Sequence, residues 1–320
     1  MDSVSRIFVA GHNGMVGGAI TRGLRRHGYD NLILCSRAQL DLTVQSDVNA
    51  FFKKLKPEIV ILCAARVGGI LANMTLPASF IAENMLIQTN TIIAAQQSGV
   101  QKFIFMGSSC IYPKGSQLPI NESALLSGPL EETNRPYAIA KIAGIELCWS
   151  MNRQFGTKYF CLMPTNLYGL GDTYNTEMSH VLPAMICKMT SAKREGAKSV
   201  TLWGSGWARR EFLYSEDLAE ACVFLLRELD GRLGEYFSSE QPPLINVGVG
   251  KEISIRDLAA QVAQIVDFQG EILWDETKPD GVASKLLSSQ RLEQLGWKAK
   301  TELKDGIKLA YQDYCNFDNN

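Results

Sequence analysis

Arg6-Ile7-Phe8-Val9-Ala10 is a β-favouring run near the start of the chain. It ends directly on Gly11-His12-Asn13-Gly14-Met15-Val16-Gly17, and a helical pattern then continues to His27-Gly28. Strand, glycine turn and helix in that order leave few local folds open. The glycines let a ligand approach the backbone, while the helix amides and dipole face an anion, so this stretch predicts a pyrophosphate site. The spacing is GxxGxxG, not the GxGxxG of the dehydrogenase fingerprint. Taken alone, it would also serve as a plain turn between a core strand and a helix.

The alternation persists through the first half. Residues 31–35 form a second strand signal, and a helix is expected from about Ser46. Residues 59–65 are wholly apolar, as expected of a buried parallel strand. A long helix is expected over about 78–98, a strand over 102–106, a helix over 137–152 and a strand over 159–163. This pattern predicts an α/β fold, a Rossmann-type doubly wound parallel sheet with ligands at the carboxyl ends of its strands. The second half is less regular. Residues 200–203 and 271–274 read as short strands, and 215–229, 254–266 and 303–314 as helices, the first two with Ser215 and Ser254 as N-caps. We expect a dinucleotide-binding domain over 1–165 and a smaller C-terminal α/β substrate domain over 166–320, with no linker between them.

The 320 residues are 46% hydrophobic, enough for a sizeable core, and 32 Lys and Arg against 33 Asp and Glu leave a net charge of −1. No basic run points to nucleic acid and no basic amphipathic stretch to a membrane surface. The apolar runs are too short to span a bilayer, and the early first strand leaves no room for a signal peptide. The eight cysteines form no CxxC pair. Cys35, Cys63 and Cys161 fall within or at the end of strand runs and read as buried thiols, not as disulfides or metal ligands. We expect a cytoplasmic protein without a metal.

Chemistry enters with Tyr137-Ala138-Ile139-Ala140-Lys141. Tyr137 and Lys141 share one helix face. A lysine beside a phenol is expected to lower its pKa, and Ser108 after the fourth strand could hold a carbonyl oxygen near that phenol. The ordered set of glycine turn, serine and YxxxK resembles the extended short-chain dehydrogenase/reductase family, which acts on nucleotide sugars. Longer motifs narrow the resemblance to its 3,5-epimerase/4-reductase branch. They are Arg66-Val67-Gly68-Gly69-Ile70, Gly107-Ser108-Ser109-Cys110-Ile111-Tyr112-Pro113, Met163-Pro164-Thr165-Asn166-Leu167-Tyr168-Gly169, Lys278-Pro279-Asp280-Gly281 and Gln294-Leu295-Gly296-Trp297.

The resemblance implies NADP(H) as cofactor, GDP-4-keto-6-deoxy-D-mannose as substrate, a homodimer built through two long helices, and a return of the chain to the first domain over about 212–247. Cys35-Ser36-Arg37 supports NADP independently, since Arg37 after the second strand suits a 2′-phosphate. Many relatives carry a second arginine where this chain has Asn13. Expected cofactor contacts are Gly11 to Gly17, Arg37, Asp41 and Leu42 beside the adenine, Ala64, Ala65, Tyr137, Lys141, Pro164, Asn166, Leu167 and His180. Ser108, Tyr137 and Lys141 are the expected reductase group. Cys110, with a thiol near pKa 8.5 that positive charge would lower, is the expected base, and His180 the acid paired with it. Ser108, Ser109, Cys110, Asn166, Lys188, Trp203, Arg210 and Lys285 are the expected substrate contacts. Lys188 stands where relatives often have Arg, which removes the bidentate fork.

Two other readings compete. A 4,6-dehydratase or 4-epimerase shares the fold, but a dehydratase carries acidic residues after the Ser/Thr position, and Ser109-Cys110 supplies none. A regulator that only senses NADP usually loses the Tyr or Lys of YxxxK, and both are present.

Overall fold

A computed structural model describes residues 4–176, 179–228, 231, 240–278 and 280–318. Pro279 and part of the expected 212–247 return lie outside the described residues. The first half runs β1 (Ile7–Ala10), α1 (Met15–Arg26), β2 (Leu32–Ile33), α2 (Gln45–Leu55), β3 (Ile59–Leu62), α3 (Ile70–Thr75), α4 (Pro77–Gln97), β4 (Lys102–Met106), α5 (Arg135–Phe155) and β5 (Lys158–Pro164). The second half runs β6 (Asn166–Tyr168), α6 (Val181–Arg194), β7 (Ser199–Trp203), β8 (Arg209–Tyr214), α7 (Ser215–Glu228), β9 (Leu244–Val247), β10 (Glu252–Ser254), α8 (Ile255–Val266), β11 (Glu271–Asp275), β12 (Ser284–Lys285), α9 (Gln290–Leu295) and α10 (Leu303–Asp318).

Six strands form one parallel sheet in the order β2-β1-β3-β4-β5-β9. This is the doubly wound order. The strands are apolar on both faces because helices cover both. Ile7, Val9, Ile61, Ile104 and Phe160 point to the side of α1 and α7. Phe8, Val60, Phe103 and Tyr159 point to the side of α2, α4 and α5. Each such side chain contributes about 1.5–3 kcal/mol on burial, so the alternation fixes the register.

After Pro164 the chain leaves this sheet. Thr165 N–H still donates to Val247 O, while its Oγ1 donates to Glu211 O. From Asn166 onward the chain pairs with β8 instead. β8 also carries β10 and β12, and β7 pairs with β11. A third core around Tyr168, Ile186, Leu258 and Val262 closes this part. The chain returns when α7 packs on α1 and β9 joins the large sheet.

The helix expected over about 78–98 forms as α4, and Pro77, which has no N–H and restricts Leu76 (φ −126°), separates it from the short α3 before it. Two local expectations change. Ser254 caps α8 by accepting from Asp257 N–H at 3.0 Å, but Ser215 is no cap. It is buried inside the first turn of α7, with Oγ unpartnered among the described residues. Cys35 and Cys63 are half-buried, because the chain loosens at the strand ends, whereas Cys161 is fully enclosed.

Glu211 is wholly buried at the seam. Its carboxylate accepts from the N–H groups of Val249 at 2.6 Å, Gly250 at 2.7 Å and Leu287 at 3.0 Å. Glu211→Ala leaves those donors unpaired. A loss of stability on the order of 3–5 kcal/mol is expected, read by urea denaturation. A loss below about 1 kcal/mol would show that water replaces the carboxylate without cost.

Candidate active site

The glycine turn forms a cradle at the carboxyl end of the parallel sheet. Gly11 has φ +86°, and a Cβ there would lie 2.7 Å from Ala64 N. A Cβ on Gly17 would overlap the Gly11 carbonyl oxygen. Gly14 caps α1 without any side-chain bond, so the first amides of the helix are open to a ligand. His12 Nδ1 is buried without a partner among the described residues. Open amides, close backbone and an orphaned ring nitrogen suit the diphosphate of a dinucleotide. Asn13 is exposed beside the turn, Met15 begins α1, and Val16 packs beneath it.

Along the same edge, Arg37 is 72% exposed, with Nε 3.7 Å from Asp41 and Nη2 3.9 Å from Glu83. Asp41 accepts from Thr43 Oγ1 and N–H, which with Arg37 holds its carboxyl below the usual range. The Leu42 side chain lies in the core near Val48 and Phe52. Ala64 and Ala65 follow β3, with Ala64 N–H bonded to Ala10 O at 2.9 Å. Pro164, Asn166 and Leu167 sit where the chain changes sheets.

Four expected catalytic side chains converge. Ser108 is extended beyond β4 and opens a single 3₁₀ turn, Ser109–Ile111. Its Oγ accepts from Cys110 Sγ at 3.0 Å and from Cys110 N–H at 3.4 Å, and it hydrogen-bonds Tyr137. Tyr137 lies in the first turn of α5, where Pro136 suits an early helical position. One turn on, Lys141 is buried and donates to Met106 O at 2.8 Å. Its Nζ stands 5.7 Å from the Tyr137 ring centroid and 4.8 Å from that of Phe105.

Burial dominates the ionisation of this group, and two expectations are corrected. Burial raises the Tyr137 phenol, assisted by Cys110 and opposed by the Ser108 hydrogen bond. Desolvation of the buried phenol dominates, and Lys141 is not among the groups that pull it down. Burial also raises the Cys110 thiol, against Lys285, Ser108 and Lys141. Lys141 itself is lowered to about 8 by burial, partly offset by Cys110, Cys63 and Cys161. At neutral pH the phenol holds its proton and the ammonium its charge.

The second-half candidates are spread more widely. Arg210 on β8 donates to Arg209 O at 2.7 Å and Asp280 O at 3.3 Å. Lys285 is opposite Arg210 in register, and its charge acts on Cys110. Trp203 presents its ring between Lys188 and Lys278, whose Nζ atoms lie 5.7 and 5.4 Å from the centroid. Lys188 also donates to Thr201 O. His180 is the exposed N-cap residue of α6. Protein around its ring still desolvates it and lowers its pKa. No described hydrogen bond links its ring to Ser108, Cys110 or Tyr137.

The sequence reading assigned no role to three acids, although Asp280 stood within one of its motifs. Asp280 accepts from Ser205 N–H and Oγ, both at 2.7 Å, and so fixes the Trp203–Gly206 turn. Glu131 accepts from Thr133 and Asn134 N–H just before α5. Glu83 bonds Arg66 at 2.5 Å. Only Glu131 carried a sequence signal, an acid two residues before Thr133 at a helix start. The others depend on partners distant along the chain. All eight cysteines are free, no metal-binding group occurs among the described residues, and no helix there is long and apolar enough to cross a membrane.

The comparisons with known proteins agree with this geometry. A profile of the NAD dependent epimerase/dehydratase family matches residues 7–247. The chain is 50% identical to GDP-L-fucose synthase 1 of Arabidopsis thaliana over 319 residues, covering 98% of this chain and 96% of that one. It is 47% identical to the GDP-L-fucose synthase of Escherichia coli K12, covering 97% and 96%. A GDP-mannoheptose C4 reductase from Campylobacter jejuni, solved with NADP bound, superposes with TM-score 0.89 at 38% identity and covers 98% and 99%. A family profile over residues 7–247 and relatives near 50% identity over almost the full length place the chain in the NAD dependent epimerase/dehydratase family.

Proposed function

We propose that this chain is a bifunctional 3,5-epimerase and NADPH-dependent 4-reductase that converts GDP-4-keto-6-deoxy-D-mannose to GDP-L-fucose. The observation that carries this reading is the Ser108 hydroxyl shared by Tyr137 and Cys110. It places a proton donor for a carbonyl oxygen beside a thiol suited to a carbon acid. A redox group alone would need no thiol there. GDP-L-fucose synthases that match over nearly the whole chain support the same reaction.

The C4 ketone acidifies the protons on C3 and C5. Cys110, as thiolate, removes each from one face, and His180 returns a proton to the other. Ser108 Oγ meets Cys110 Sγ, Cys110 N–H and the Tyr137 phenol, so a single hydroxyl couples the thiol to the phenol at the carbonyl site. Ser108 and Tyr137 then stabilise the enolate charge. Bound NADPH supplies hydride to C4 once both centres are inverted. Tyr137 protonates the resulting oxygen, and Lys141 would hydrogen-bond the nicotinamide ribose of the bound cofactor. Gly11 to Gly17 would hold the diphosphate and Arg37 the 2′-phosphate. Trp203 with Lys188 would support the GDP end, Arg210 its pyrophosphate, and Lys285 the charge beside Cys110. Ser109 and Asn166 would line the sugar.

We also read residues 1–165 with the α7–β9 return as the dinucleotide unit, and 166–320 otherwise as the substrate unit. A cytoplasmic location suits eight free thiols. A homodimer through α4 and α5 suits exposed Met85, Leu86, Ile139 and Phe155 on those packed helices. Sedimentation equilibrium at micromolar concentration should show two copies, and a monomer would remove that assignment.

The direct test is NADPH consumption with GDP- and dTDP-linked 4-keto-6-deoxy sugars. Stoichiometric oxidation with the GDP sugar is expected. Tyr137→Phe should bind NADPH normally and lose turnover by about 10²-fold or more. Activity within a few-fold of wild type would take Tyr137 out of the mechanism.

The two steps should also separate in pH. With NADP absent, the protein should exchange the C3 and C5 protons with D₂O, and faster as pH rises toward the raised thiol pKa. Reduction should fall as pH rises through about 8, where Lys141 loses its charge. Cys110→Ser should nearly stop exchange. His180→Asn should allow deprotonation but impair inversion. Wild-type exchange in Cys110→Ser would make the thiol structural and leave a plain 4-ketoreductase.

A further inference from the structure

Arg37 is expected to read the 2′-phosphate of NADP(H), yet it does not face the cofactor edge alone. Its guanidinium stands between two carboxylates, Asp41 at 3.7 Å and Glu83 at 3.9 Å. Both distances exceed a charge-assisted hydrogen bond, so neither acid holds Arg37 firmly. The acids themselves are held. Asp41 is fixed by Thr43. Glu83 Oε1 accepts from Arg66 Nη1 at 2.5 Å, which leaves Oε2 turned toward Arg37. Arg66 is anchored in turn. Its N–H donates to Asn84 Oδ1 at 2.9 Å, its carbonyl accepts from Asn84 Nδ2 at 3.0 Å, and its guanidinium lies 5.7 Å from the Phe80 ring centroid. Glu83 is therefore a fixed negative charge on α4, between arginines that follow β2 and β3. Its side chain is 26% exposed against 36% for Asp41, so solvent screens it less. Across the edge, Asn13 adds no positive charge.

We infer that Glu83 sets the balance between 2′-phosphorylated and unphosphorylated dinucleotides. Its charge opposes an incoming 2′-phosphate and weakens the pull of Arg37. A free 2′-hydroxyl, by contrast, could donate to the same carboxylate. The chain should therefore prefer NADPH only modestly and accept NADH. The inference rests on NADP(H) as cofactor and on Arg37 as the group that meets its 2′-phosphate.

The test measures dissociation constants for NADPH and NADH by quenching of tryptophan fluorescence, with 2′,5′-ADP against ADP as competitors. Glu83→Gln keeps an acceptor for Arg66 and removes the charge. NADPH and 2′,5′-ADP should bind about 5-fold more tightly, the size of one half-exposed charge, while NADH and ADP stay unchanged or weaken. Glu83→Asp keeps the charge and should keep the wild-type ratio. Added salt should shrink the gain. Arg37→Ala should narrow the ratio. If it does so while Glu83→Gln leaves the ratio within twofold, or shifts both dinucleotides in parallel, Glu83 is a structural residue and this inference falls alone. If Arg37→Ala leaves the ratio unchanged, the assignment of Arg37 falls and takes the inference with it.

Discussion

The ammonium of Lys141 is held between β4 and α5 with Met106 O as its hydrogen-bond acceptor. A buried charge is costly unless it is bonded, so this contact fixes how far along β4 the helix can sit. Gly144 assists, since a Cβ there would press on the Phe105 ring. One turn before Lys141, Tyr137 is thereby delivered to Ser108, and Ser108 in turn receives Cys110. The phenol, hydroxyl and thiol are positioned by one helix docking on one strand. The same burial sets their ionisation. It keeps the phenol protonated and leaves the ammonium charged but near its titration point at neutral pH.

The second constraint is the seam at Glu211. This carboxylate takes amides from the turn after β9 and from the segment after β12. Arg210 is its chain neighbour, and Lys285 lies two residues before Leu287. The seam thus sets the height of both cations against the strand end that carries Cys110. The large sheet presents the redox group and the small sheet the charges that surround it. A single buried acid keeps the two in register.

Much of the fold was legible because burial on both faces leaves a plain signature. Residues 59–62 and 103–106 are apolar without a break, as a covered parallel strand requires. The glycine turn was legible for a similar reason, since no other residue tolerates the contact of Gly17 with the Gly11 carbonyl. Ser108, Tyr137 and Lys141 announced themselves through spacing along one strand end and one helix face. Two features were not legible. Ser215 has a cap residue's chemistry but lies inside the helix it begins. The pull of a lysine on a phenol could be named from sequence, but its defeat by desolvation could not.

The sequence by itself determined the doubly wound sheet and the glycine turn, because each follows from residue type and local period; it named Ser108, Tyr137 and Lys141 by spacing, while Cys110 and His180 rested on the resemblance alone. Tertiary structure alone decided which charges meet. Glu83 reaches Arg37 from a helix more than forty residues on, Glu211 gathers amides from two later turns, and Lys285 acts on Cys110 from another sheet. Electrostatic coupling depends on distance and desolvation, and neither is written in local sequence.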